Sequence, residues 1–99
     1  MEWPVSVNSP EKETGIVIDV REKEEYEAGH IPGSLSVPLS LFPDILKTLD
    51  KNQDYYVVCR SGGRSFLGCR YLKKMGFNAR NLTGGMNAYV GPVELFKAD

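Results

Sequence analysis

Tyr55-Tyr56-Val57-Val58-Cys59-Arg60-Ser61-Gly62-Gly63-Arg64-Ser65 joins an apolar run to a cysteine, a short basic glycine segment and the start of a helical pattern. Tyr55 to Val58 are uninterrupted β-formers, as in a central strand buried on both faces. From Ser65 onward Phe66, Cys69, Leu72 and Met75 recur as one helical stripe, and Gly76 closes it. Cys59 is therefore expected where strand gives way to loop, with its thiol aimed at the N-terminus of the next helix.

The flanking sequence alternates in the same way. Upstream, Ile16 to Val20 is a short β-branched run that reads as a buried strand, with Asp19 and Arg21 marking its end. Glu22 to Ala28 is a short acidic helical turn holding Tyr26 and stopped by Gly29. Leu35 and Val37 alternate with serines between Pro32 and Pro38, as in a loop-bounded edge strand. Ser40 to Leu49 reads as an amphipathic helix, with Ser40 as N-cap, Pro43 in the first turn, and Leu41, Phe42, Ile45, Leu46 and Leu49 as its apolar face. Trp3, Val5 and Val7 suggest another edge strand, with Trp3 packed on the body. Downstream, Phe77 to Leu82 is a weaker strand, Thr83-Gly84-Gly85 a turn, and Met86 to Val90 a short helical piece before Pro92. This alternation predicts an α/β fold, a mostly parallel central sheet of about five strands with helices on both faces, with ligands collecting at the carboxyl ends of the strands. Cys59 lies at such an end.

With 99 residues, the chain is expected to form one domain over 1–99. A formal charge of -1 gives no global pull toward nucleic acid or an anionic membrane, so neither is expected as a partner. No apolar run approaches the roughly 20 residues that span a bilayer, and Met1-Glu2-Trp3-Pro4 lacks the character of a signal peptide, which points to the cytoplasm. The 2 cysteines, without C-x-x-C or histidine pairs, make neither a metal site nor a disulfide framework, and reduced thiols are the expectation.

Nucleophilic attack needs a thiolate, which an ordinary cysteine with a pKa of about 8.5 supplies only sparingly at neutral pH. The backbone N–H groups of a glycine-permissive loop, the following helix N-terminus, and the charges of Arg60 and Arg64 would each favour ionisation of Cys59. Gly62 and Gly63 can take φ > 0 and let the backbone curl around a sulfur or a small anion. The 6 residues from Cys59 through Arg64 make a small cradle, suited to one sulfur rather than to a bulky tetrahedral ester.

In these motifs the chain closely resembles the single-domain type of the rhodanese-like family. The resemblance rests on Asp19-Val20-Arg21 with Glu25-Tyr26, then Gly29-His30-Ile31-Pro32-Gly33-Ser34, then Cys59-Arg60-Ser61-Gly62-Gly63-Arg64-Ser65, then Gly76-Phe77 and Leu82-Thr83-Gly84-Gly85-Met86-Asn87-Ala88-Tyr89, all in register. Tyr89 departs from the family's usual tryptophan, a change expected to touch packing more than chemistry. The resemblance implies sulfur transfer: Cys59 takes a sulfane sulfur from a small donor such as thiosulfate, becomes a persulfide, and passes it to a thiol or cyanide-like acceptor or to a sulfur-carrier protein. Arg60, Ser61, Gly62, Gly63, Arg64 and Ser65 would bind the substrate, their N–H groups holding the persulfide anion and the two arginines drawing in the donor. No metal or organic cofactor is implied. Two alternatives stay open: a non-catalytic sulfur-relay module, and a phosphatase or arsenate reductase of related fold, whose loop carries one more residue between cysteine and arginine.

The remaining candidates read as structural. Cys69 lies on the apolar helix stripe and is expected to pack rather than react. His30 sits in a turn-forming segment and is expected to serve hydrogen bonding rather than proton transfer. Asp19 and Arg21 read as a pair tying strand to helix, with Glu25 as a second partner for Arg21. Glu22 to Glu27 reads as a solvated face, and Lys73-Lys74 as an exposed helix end. Arg60 is expected nearer the substrate, and Arg64 nearer the scaffold beside a carboxylate. Neither charge pattern nor apolar content marks a docking surface for a partner protein.

Overall fold

A computed structural model describes residues 3–95. Five parallel strands form one sheet in the order β1-β5-β4-β2-β3, with β1 Val5–Ser6, β2 Ile16–Asp19, β3 Leu35–Ser36, β4 Asp54–Val58 and β5 Asn78–Thr83. The uninterrupted run at Tyr55–Val58 takes the centre, where both faces of a strand must be apolar. It pairs with β2 from Ile16↔Tyr55 to Asp19↔Val58 and with β5 from Asp54↔Asn78 to Val57↔Asn81. The short segments flanked by proline or polar residues, β1 and β3, take the edges.

Strand alternation divides the core. Tyr55, Val57 and Cys59 join Ile18, Val20, Cys69, Leu72 and Phe77 on one face, whereas Tyr56 and Val58 join Val5, Val7, Val17, Ile31 and Leu82 on the other. The long helix α2, Gly63–Lys74, covers the first face. Met86 of the short helix α3, Gly85–Ala88, and the adjoining Tyr89 pack on the second. A further short helix, α1, spans Lys23–Glu27.

Three expectations fail for identifiable reasons. Ser40–Leu49 is not an α-helix but two 3₁₀ segments, Leu39–Leu41 and Asp44–Thr48. Phe42 between them is extended (φ -69, ψ 145), the conformation that a following proline imposes by clashing with the α region. Leu46 is nonetheless buried, with Phe42, Ile45 and Leu49 packed against the core, while Leu41 stays exposed. The buried stripe of α2 is Ser65, Gly68, Cys69 and Leu72, leaving Phe66 52% and Met75 44% exposed. Gly68 faces the sheet, where a Cβ would meet Val20, Leu39 and Val57 at 3.5–3.7 Å, in ordinary van der Waals contact. Trp3 is 72% exposed rather than packed, because sheet pairing begins only at Val5 and Trp3 falls beyond the edge.

Candidate active site

Cys59 follows β4 directly and is 1% exposed. The chain then reverses through Arg60 and Ser61 to Gly62, whose φ of 115 only glycine adopts without strain and which caps α2. That turn aims the Gly62 N–H at Cys59 Sγ over 3.0 Å. Ser65, in the first turn of α2 and fully buried, brings its hydroxyl to 3.3 Å from the same sulfur. Burial alone would push the Cys59 thiol up. The Ser65 hydroxyl and the backbone N–H groups of Ser65, Gly62 and Ser61 outweigh that and hold its pKa below the ordinary thiol value. Gly63 departs from expectation: its φ is not in the left-handed region, and a Cβ there would meet open space.

The two arginines are arranged by a residue that the sequence reading assigned elsewhere. Glu25 of α1 accepts two hydrogen bonds from Arg64, at 2.7 and 2.9 Å, and one from Arg60 at 3.2 Å. Its carboxyl, held first by Arg64 against the opposing effect of burial, falls to about 2. Arg64 rises in turn, through Glu25 and also through the negative charge of an ionised Cys59. Arg64 is thus fastened to the scaffold beside a carboxylate, as expected, while Arg60 is 64% exposed on a single contact. Glu25 is neither part of a solvated face nor the partner of Arg21. Arg21 is taken by Asp19 at 2.7 Å and by the Gly29 carbonyl at 2.8 Å, a buried tie between the end of β2 and the end of α1.

Behind the loop stands the Thr83-Gly84-Gly85 turn. Met86 N–H donates to the Cys59 carbonyl and Asn87 N–H to the Arg60 carbonyl, both at 2.8 Å. Gly85 must be glycine for this approach, since a Cβ would lie 2.4 Å from the Arg60 oxygen and 2.6 Å from that of Cys59. His30 is structural: its Nδ1 lies 2.8 Å from the Tyr26 carbonyl and its ring stacks on Tyr26 with centroids 3.8 Å apart. Cys69 is also buried, and desolvation pushes its thiol up. A cleft of about 580 Å³ on the opposite sheet face, between Lys12, Val17, Ile31 and Tyr89, is lined by no cysteine or histidine. The structure therefore brings Cys59 together with Ser61, Gly62 and Ser65 around one sulfur, with Arg60 and Arg64 on its rim, and adds Glu25 and the second glycine turn. The chemistry available there is nucleophilic attack by a thiolate whose product anion would lie among the same donors.

A Bacillus subtilis protein named "Putative sulfurtransferase YtwF" is 44% identical over 75 residues, covering 76% of this chain and 73% of its own length. Another B. subtilis protein, "Putative sulfur carrier protein YrkF", is 40% identical over 79 residues, 79% of this chain but only 43% of its own. Among solved structures, a rhodanese-related protein of Thermoplasma volcanium superposes with a TM-score of 0.79 at 31% identity, covering 93% of this chain and 99% of that one. The model of the rhodanese-like domain matches residues 6–91, from β1 to beyond α3 and around the whole Cys59 loop, and the chain belongs to that family.

Proposed function

We propose that this protein is a sulfurtransferase whose working nucleophile is Cys59. The observation that carries the reading is a buried sulfur at a strand end, surrounded by the N–H groups of Ser61, Gly62 and Ser65 and the Ser65 hydroxyl. The Cys59 thiolate attacks the outer, sulfane sulfur of thiosulfate. A new S–S bond forms, the S–S bond of the donor breaks, and sulfite leaves with the bonding pair. The negative charge then sits on the outer sulfur of Cys59–S–S⁻, where the loop donors stabilise it. A thiolate or cyanide acceptor attacks that outer sulfur and returns Cys59 as thiolate, so no net oxidation occurs. Arg60, exposed and held by one contact, is the better placed of the two arginines to meet an anionic donor, and Arg64 fixes the loop through Glu25. Two buried cysteines, both unpaired, suit a reducing compartment, and we place the activity in the cytoplasm.

A second reading is a relay that gives its sulfur to a protein. It draws on the name of YrkF and on α2, which exposes Phe66 and Leu67 beside Arg70 and Lys74 one turn beyond the loop, a docking face that the sequence pattern did not mark. Intact-mass measurement after incubation with thiosulfate tests both. The protein should gain one sulfur, and Cys59→Ser should gain none. Discharge by cyanide and small thiols supports the enzyme, whereas a persulfide discharged only by a protein thiol supports the relay. No gain from any sulfane donor removes both.

A further inference from the structure

The Ser65 hydroxyl is a junction with a single proton. Its Oγ lies 3.3 Å from Cys59 Sγ, 3.2 Å from the Gly62 carbonyl and 2.5 Å from Asn81 Oδ1 on β5. The two oxygens can only accept, and an O···O separation as short as that to Asn81 requires a hydrogen between the atoms. The Ser65 proton therefore points at Asn81, and Ser65 Oγ accepts from the Cys59 S–H. That is the bonding pattern of a protonated thiol.

A thiolate needs the opposite pattern. Once Cys59 has lost its proton, Ser65 must turn its own hydrogen to the sulfur, which leaves Ser65 Oγ and Asn81 Oδ1 facing each other as two acceptors. An amide has a remedy that a carboxylate lacks: turning over exchanges oxygen for an NH₂ group of nearly equal size, so Nδ2–H can donate to Ser65 Oγ. We propose that Asn81 is a positioning residue for the Cys59 chemistry, its amide alternately accepting from Ser65 and donating to it as the sulfur passes between thiol and anion. Chained donors of this kind polarise one another, so Nδ2–H···Oγ–H···S⁻ strengthens the bond that reaches the sulfur. Asn81 is half-buried and borders a cleft of about 290 Å³ with Phe66, Cys69, Arg70 and Lys73. Of the charged groups on the elements around the sulfur, Arg60 and Arg64 are both bound to Glu25, Asp19 pairs with Arg21 at the end of β2, Arg80 beside Asn81 on β5 pairs with Glu11, Arg70, Lys73 and Lys74 lie further along α2, and Asp54 opens β4 at its far end.

The inference rests on Cys59 acting as a thiolate, and its test needs no sulfur donor. The pH profile of Cys59 alkylation by iodoacetamide, followed by mass with Cys69 as the internal marker of folding, reads ionisation directly. The midpoint should rise modestly in Asn81→Leu, which can neither accept nor donate. It should rise by about one unit or more in Asn81→Asp, which keeps the Ser65 proton and adds charge, a loss of about tenfold in thiolate at fixed pH. In a Ser65→Ala background the Asn81→Asp rise should shrink, because only through-space charge remains. An unchanged midpoint in Asn81→Leu, or an Asn81→Asp rise equally large without the Ser65 hydroxyl, would overturn the proposal. A protein that takes no sulfur from any sulfane donor yet shows the order Asn, Leu, Asp refutes the sulfurtransferase reading and leaves this one standing.

Discussion

Cys59 and Cys69 lie on the same face of the sheet, in one core cluster, at 1% and 4% exposure. Accessibility does not separate them, and Cys59 is if anything the more enclosed. What separates them is the company of each sulfur. Cys59 meets the N–H of Gly62 and the hydroxyl of Ser65, which reverse the effect of burial. Cys69 meets apolar side chains, and the charge of Lys73 only partly offsets desolvation. Burial makes a thiol inert or reactive according to whether donors are buried with it.

The largest effect that this contrast predicts is a clear preference for Cys59 in alkylation at neutral pH, because its pKa is held below the ordinary thiol value while that of Cys69 is pushed above it. Denaturant should equalise the two thiols, and a ratio that survives unfolding would show that local sequence rather than the fold sets it. Glycine substitutions break the contrast in graded fashion. Gly85→Ala drives a methyl into the backbone oxygens of Cys59 and Arg60, so it should lower thermal stability most and slow Cys59 towards the rate of Cys69. Gly62→Ala meets open space but must hold φ at 115, a cost of roughly 1–2 kcal/mol, and it should raise the Cys59 midpoint by turning the N–H away. Gly63→Ala has neither obstacle and should leave both stability and the midpoint near those of the unchanged protein. Equal losses at Gly62 and Gly63 would contradict the assignment of the turn to Gly62 alone.

The readable parts of this site were those carried by short-range signals. A run of β-formers identifies β4 because only a central strand tolerates apolar residues on both faces, and the glycines and arginines after Cys59 announce the loop. Contacts between distant segments left little trace. Glu25 lies 39 residues from Arg64, and the helical spacing rule instead pairs it with Arg21, which finds Asp19 two residues away. Alternation assigns a strand residue to a face, but it does not say that Asn81 meets a serine from α2. Periodicity found Cys69 and Leu72 on the buried side of α2 but centred the stripe wrongly, because hydropathy favours Phe66 over its neighbour Ser65 and gives Gly68 no weight. Close packing and hydrogen bonding in fact place Ser65 and Gly68 inside. At Ser40–Leu49 the apolar positions were informative about burial, but the conformation before Pro43 decided the backbone.

The smallest predicted effect concerns Glu25, which touches neither sulfur and orders the loop from outside. Its folded pKa of about 2 lies below the ordinary 4.5, so the stabilisation is fully present above about 4.5 and is lost as pH falls toward 2. Acid titration of thermal stability should therefore show a decline in that window that is shallower in Glu25→Gln, because the amide at that position does not titrate. The variant should also be slightly less stable at neutral pH, since its amide cannot match the carboxylate as a partner for two guanidinium groups. Cys59 alkylation should change little, because the groups that chiefly favour its ionisation are the Ser65 hydroxyl and the loop N–H groups rather than the arginines. A large rise in the Cys59 midpoint in Glu25→Gln would show that the loop donors stay aligned only while both arginines are held, and would join the rim to the cradle as one cooperative unit.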